Sequence, residues 1–169
     1  LELGDMQQLD RRYREAAGTY GRAGAIGGGP VIEQALERQA IALQLAGDYA
    51  DSDKACAQFL SKFPKSELCA EVSERYAENA LLAKKEGTAS ESDKQPYAEA
   101  VARFTKVMEK FPDTTQANLA RLGLATVQYQ EGRFTEAAAL LTKIPQSDRV
   151  DDLIGVSFLL ADCELRALP

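Results

Sequence analysis

Histidine is missing from all 169 residues, and tryptophan with it. The first absence matters more for function. Histidine is the usual general base near neutral pH and the commonest transition-metal ligand. Without it no Ser–His or Cys–His pair can form within the chain. Cysteine is sparse: Cys56, Cys69 and Cys163 stand far apart and form no CxxC. That spacing supports neither a zinc site nor a redox pair, and an odd count cannot complete a disulfide framework. The three are expected to be small buried hydrophobes. No apolar run reaches the 18 or so residues that a membrane span needs. Acidic residues outnumber basic ones, 26 to 20. Nucleic acid is therefore not expected as a partner, since phosphate binding draws on an excess of clustered cations.

What is abundant are helix formers. Ala, Leu, Glu, Gln, Lys and Arg dominate, and β-branched residues are few. Hydrophobic residues make up 45%, enough for a core in a chain of one domain's length. The net charge of −6 suits a basic or neutral peptide partner better than an acidic one.

The chain repeats itself. Tyr49-Ala50-Asp51-Ser52 runs on to Phe63-Pro64-Lys65-Ser66. Tyr97-Ala98-Glu99-Ala100 runs on to Phe111-Pro112-Asp113-Thr114, and Phe134-Thr135-Glu136-Ala137 to Ile144-Pro145-Gln146-Ser147. Pro112 and Pro145 are 33 residues apart, while Pro64 and Pro112 are 48 apart because a polar stretch, 84–95, is inserted. Tyr13-Arg14-Glu15-Ala16 starts a degenerate earlier copy, 36 residues before Tyr49.

Each copy has a physical logic. An aromatic opens a helix, and apolar residues recur at helical spacing, as in Tyr97, Val101, Phe104, Val107, Met108 and Phe111. Proline ends the helix. Ser66, Thr114 or Ser147 then stands where it can cap the next one. Gly47 and Gly132 precede their aromatics by two residues, a place for a left-handed helix end. Small residues at Ala100 and Ala137 let two helices come close. The pattern predicts helices at about 5–23, 31–46, 49–63, 66–86, 96–111, 114–131, 134–143 and 148–167. Gly24-Ala25-Ile26-Gly27-Gly28-Gly29-Pro30 reads as an interhelix loop; it has neither a preceding strand nor GK[ST], so it fails as a phosphate loop.

These residues resemble the tetratricopeptide repeat family. From Glu33 the sequence offers Leu36, Ala40, Leu43, Gly47, Tyr49, Ser52, Cys56 or Phe59, and Pro64 where the family places its large, small, glycine, aromatic and proline positions. Tyr97, Ala100, Phe104 and Pro112 follow in the next copy, and Gly132, Phe134, Ala137 and Leu141 in the last. The family's first-helix Trp and most of its Leu-Gly pairs are missing. The Phe-Pro-x-Ser/Thr endings resemble a bacterial envelope subgroup, the Tol–Pal-associated and outer-membrane assembly lipoprotein types. That likeness points to the periplasm or cell envelope, with the cytoplasm as the alternative.

The resemblance implies an all-α fold, a right-handed superhelix of antiparallel helix pairs, an α-solenoid. It implies one repeat domain over 1–169, with a degenerate copy at about 9–30, copies at about 31–65, 66–112 and 113–146, and a final helix at 148–167. The chain begins near a second-type helix and ends on an unpaired one, so it is expected to be a segment of a longer array. The resemblance also implies a non-catalytic scaffold without cofactor or metal, holding a protein or peptide in a concave groove lined by the first helix of each pair. By repeat position the groove residues are Gln34, Glu37, Ile41, Gln44 and Leu45, then Leu68, Glu71, Arg75, Glu78 and Asn79, then Leu119, Leu122, Thr126, Tyr129 and Gln130; ordinary solvated helix face is the plainer reading of each. Members that clamp a terminal carboxylate carry Lys and Asn where this chain has Glu37 and Ile41, so that activity is not expected.

Two other readings stand beside this one. The last helix has almost no polar face: Leu153, Ile154, Val156, Phe158, Leu159 and Leu160 are apolar. A helix apolar all round needs cover on more than one side. The module would then serve to form a homo-oligomer through Leu153–Leu160. The more remote alternative is an enzyme. Its best sequence support would be paired acids such as Asp151-Asp152 or Glu33 with Glu37, and these read as surface charge.

Overall fold

The computed structural model describes residues 1–85, 87 and 97–168. Most of the 84–95 stretch lies outside the described residues. The described residues form α-helices and two short 3-10 turns, with no strand among them. In order these are α1 (Glu2–Leu9), α2 (Tyr13–Ile26), α3 (Gly29–Leu45), α4 (Tyr49–Lys62), α5 (Cys69–Lys85), α6 (Ala98–Lys110), α7 (Thr115–Gln130), α8 (Phe134–Leu141) and α9 (Val156–Arg166). The chain divides into two compact units, Leu1–Ala89 and Ser90–Pro169. In the first, α1 through α4 each pack on the next helix, and α3 also meets α5. In the second, α6, α7, α8 and α9 do the same. Each unit is thus a short α-solenoid built from helix pairs.

One turn recurs between the leading and trailing helices of three pairs. Gly47 and Gly132 have φ of 78° and 76°, the left-handed conformation that costs glycine least. Gly47 N–H donates to Gln44 O at 2.9 Å and Asp48 N–H to Leu43 O at 2.9 Å. Gly132 and Arg133 repeat this with Tyr129 and Gln128 at 3.0 and 2.8 Å. The two bonds satisfy carbonyls that the helix end leaves open.

The same turn occurs at Arg11, and here the structure departs from expectation. Arg11 has φ of 59°, and Arg11 and Arg12 donate to Gln8 and Gln7 at 2.9 and 2.8 Å. The single helix expected over 5–23 is therefore a pair, α1 and α2. An arginine holds the position that glycine holds elsewhere, so composition hid the turn.

Other ends also moved. Helix α2 runs into the glycine stretch as far as Ile26, and only Gly27 and Gly28 separate it from α3, where Pro30 occupies the first turn. Proline fits there because its missing N–H would have no helical partner. The Thr114 hydroxyl caps α7, accepting from Ala117 N–H at 3.2 Å. Ser66 accepts from Leu68 N–H at 3.0 Å just ahead of α5. Ser147 caps no helix; its hydroxyl meets Asp148. Two 3-10 turns, Gln146–Asp148 and Asp151–Leu153, take up the region where the last helix was expected to begin, and Asp151 opens the second at φ 48°. So α9 starts at Val156 rather than 148.

Small residues set the spacing within each pair. Seven residues before the turn residue stand Gly4, Ala40 and Ala125; five after it stand Ala16, Ser52 and Ala137. A Cβ on Gly4 would come within 2.5 Å of the Tyr20 ring of α2. The Ser52 hydroxyl donates to Ala40 O at 2.8 Å. Ala125 packs with Ala137, Leu141 and Ile144 in one buried cluster. Between α6 and α7, Gly123 makes room for Phe104, whose ring is 1% exposed and would be struck by any Cβ there. Burying such a ring contributes roughly 1.5–3 kcal/mol.

Candidate functional site

The leading helices carry polar bridges whose spacing is the repeat length. Arg38 of α3 grips Asp5 of α1, its Nη1 donating to both carboxylate oxygens at 2.7 Å, across 33 residues. The Gln44 amide of α3 donates to Glu78 Oε2 of α5 at 3.0 Å, across 34 residues. Its carbonyl oxygen accepts from Arg75 of α5, which also lies 3.6 Å from Glu71. In the second unit the Tyr129 hydroxyl of α7 donates to Asp162 of α9 at 2.5 Å, across 33 residues. One repeat therefore carries each leading helix one place along its stack, and side chains about one turn out of register meet across it.

In the first unit the expected groove residues divide. Glu37 and Ile41 on α3, and Glu71, Arg75 and Glu78 on α5, are half-buried and share the polar face between these helices. Gln44 is buried and serves as the bridge between Arg75 and Glu78. Gln34 and Leu45 are exposed, and Leu45 lines a shallow cleft with Leu9, Arg11 and Tyr13. Leu68 is half-buried just ahead of α5. Asn79 is buried and turns the other way, donating to Ser52 and Asp53 of α4 at 2.9 Å each; its carbonyl oxygen has no partner among the described residues.

In the second unit the residues form a more apolar set. Leu119, Leu122 and Tyr129 are partly buried against the cluster of Ala125, Leu141 and Val156. Tyr129 meets Phe134 edge to face at 5.3 Å, and the Arg166 guanidinium lies over both rings. Thr126 donates to Leu122 O within its own helix, and Gln130 is exposed.

The electrostatics single out Glu37. Burial raises its pKa, and the nearby Glu71 charge raises it further, against the weaker pull of Arg75 and Arg38. The face thus holds more negative charge than its own cations neutralise. Asp162 moves down instead, through the hydrogen bonds from Tyr129 and Arg166. Burial pushes the Cys163 thiol up, and all three cysteines are buried, as packing residues would be. Among the described residues no group of three or more Cys, Asp or Glu is placed to hold a metal, and no helix is long and apolar enough to cross a membrane.

Asp5, Arg38, Asp162 and Arg166 belong to these faces and were not foreseen. A signal was present: opposite charges 33 residues apart, at Asp5 and Arg38, repeat the period already seen in the prolines. Residues 34–66 match a family model described as Tetratricopeptide repeat, and residues 94–155 match a second model of the same description. No curated protein and no solved structure matched the chain.

Proposed function

The chain belongs to the tetratricopeptide repeat family, whose repeats generally mediate protein–protein interaction and whose members are typically non-catalytic scaffolds, and from that premise we propose that the first unit holds a basic peptide on the face shared by α3 and α5. The observation that carries this reading is the charge on that face. Glu37, Glu71 and Glu78 outnumber Arg75 and Arg38, Arg38 is already held by Asp5, and Glu37 is partly buried beside a like charge. A Lys or Arg from a ligand would relieve that repulsion, and the Ile41 side chain offers apolar contact beside it. An amphipathic segment with alternating basic and apolar residues matches such a surface. Acids at Glu37 and Glu71 argue equally against a terminal carboxylate and against nucleic acid. On α7, half-buried Thr126 and exposed Gln130 extend the proposed set in the second unit.

The test is selection from a random peptide library displayed on phage, with the full chain as bait. Enrichment for Lys and Arg is expected, with binding that weakens as salt rises. Anisotropy of one selected, labelled peptide should then show about tenfold weaker binding to the Glu37→Gln, Glu71→Gln double variant. Ligands without basic bias, or affinity unmoved by the double variant, would sink the reading. The Phe-Pro-x-Ser/Thr endings at Phe63–Ser66 and Phe111–Thr114 support a place among the bacterial envelope repeat proteins. Fractionation of the native cell into periplasm and cytoplasm tests that placement.

A further inference from the structure

Arg11 strains the fold. Its backbone is left-handed, and Gly47 and Gly132 make the same turn without a Cβ to crowd it. The turn itself gains nothing from the longer side chain, and a strained residue is kept where its side chain serves a function. That side chain borders a cleft of about 440 Å³ between the ends of α1 and α3. An adjoining hollow of about 340 Å³ shares Arg11, Tyr13 and Leu45 with it.

The cleft has an apolar part and a polar part. Leu9 and Leu45 are the last residues of α1 and α3, each two residues before its turn residue, where the second unit has Gln130. Leu9 is 84% exposed and Leu45 49%, so both present apolar surface to solvent. The open polar groups are donors. Arg12 is paired with Asp10 and Glu15, and Arg14 with Asp48. Among the described residues no partner holds the Arg11 guanidinium or the Tyr13 hydroxyl, and both line the cleft. Asp5, the acid on this wall, is already satisfied. Arg38 donates to both its oxygens at 2.7 Å, and the Tyr20 hydroxyl donates to one at 2.7 Å. An unpaired guanidinium beside a phenol, with the local acid neutralised, selects an anion, and the guanidinium fork matches a carboxylate.

We propose that this cleft receives an acidic side chain and its bulky apolar neighbour from a protein partner. The carboxylate meets Arg11 and Tyr13, and the apolar side chain covers Leu9 and Leu45. This goes beyond the basic-peptide reading and does not depend on it, because the chemistry here is the opposite. Leu45 stands one helical turn beyond Ile41 on the same face of α3, so one ligand carrying both kinds of charge can engage both places.

The probe is the hexapeptide Gly-Ser-Leu-Glu-Ser-Gly, acetylated and amidated, added up to about 5 mM to the isotope-labelled full chain and followed by NMR. Saturable shifts of the Gln8, Arg11 and Leu45 amides are expected, with an affinity about tenfold above that of the same peptide with Gln for Glu. Arg11→Gly should abolish that preference while the urea midpoint holds or rises, so the loss is not one of folding. The Glu37→Gln, Glu71→Gln double variant should keep the preference, which separates this cleft from the basic-peptide face. No saturable shift, equal affinity for the Glu and Gln peptides, or a preference that survives Arg11→Gly would overturn the proposal. So would a Gln peptide with a free C-terminus that binds as well as the Glu peptide, since the cleft would then read chain ends rather than acidic side chains.

Discussion

Removing the Phe104 ring tests the packing between α6 and α7. The side chain is 1% exposed and lies against Gly123, with no room for a Cβ between them. Phe104→Ala should cost roughly 3–5 kcal/mol, as a transfer loss plus the void it leaves. Gly123→Ala works from the other side. Alanine favours a helix over glycine by about 1 kcal/mol, but its methyl would strike the ring, and overpacking costs about 1–3 kcal/mol. The net effect should be a loss. With both changes together the new methyl occupies part of the void. The double variant should then be more stable than the sum of the singles by about 1–2 kcal/mol. Urea unfolding followed by far-ultraviolet dichroism measures all four proteins; a chain without tryptophan leaves only tyrosine for fluorescence. Additivity within about 0.5 kcal/mol would mean that the two sites do not touch. A loss below about 0.5 kcal/mol for Phe104→Ala alone would put the helix in the wrong register.

Arg11→Gly should raise stability by up to about 1 kcal/mol, since a left-handed residue with a Cβ is strained; Gly47→Ala should lower it, and shifts of the same sign in the two urea midpoints would contradict the shared turn. Ala137→Leu should cost about 1–3 kcal/mol by forcing α7 and α8 apart, and an unaltered melting temperature would contradict their close approach. Glu37 supplies a pH dependence whose sign is set by its raised pKa. The folded chain holds this proton more tightly than the unfolded one, so stability from this group is full below the ordinary carboxylate range. It falls as pH rises through the raised value. Glu37→Gln should therefore flatten the decline between about pH 4 and 8 and stabilise the chain at neutral pH, and urea midpoints across that range would show it.

Much of this protein could be read along the chain, because a repeat writes the same local physics several times. Aromatic, small residue and proline recur at fixed offsets, so Tyr49, Ser52 and Pro64 located a helix pair without any knowledge of its neighbours. Gly47 and Gly132 marked their turns because a left-handed backbone has a preferred residue. The helices α3, α4, α6, α7 and α8 consequently lie within two residues of expectation at each end.

What the chain could not disclose depends on neighbours in space. Arg11 adopts the same turn as the two glycines without their signature, held by the packing of Gly4 on Tyr20 and by the bonds of α1 to α2. Asn79 is adjacent to Glu78 in sequence, yet one enters the interior and the other the polar face, since a helix turns about 100° per residue. The last segment shows the same limit. Its apolar residues looked alike along the chain, and only the position of α8 decided which went inside. Val156 and Cys163 are buried, while Phe158 faces outward. Sequence periodicity reports that a helix has an apolar side; which of two apolar sides is covered is settled by what packs against it.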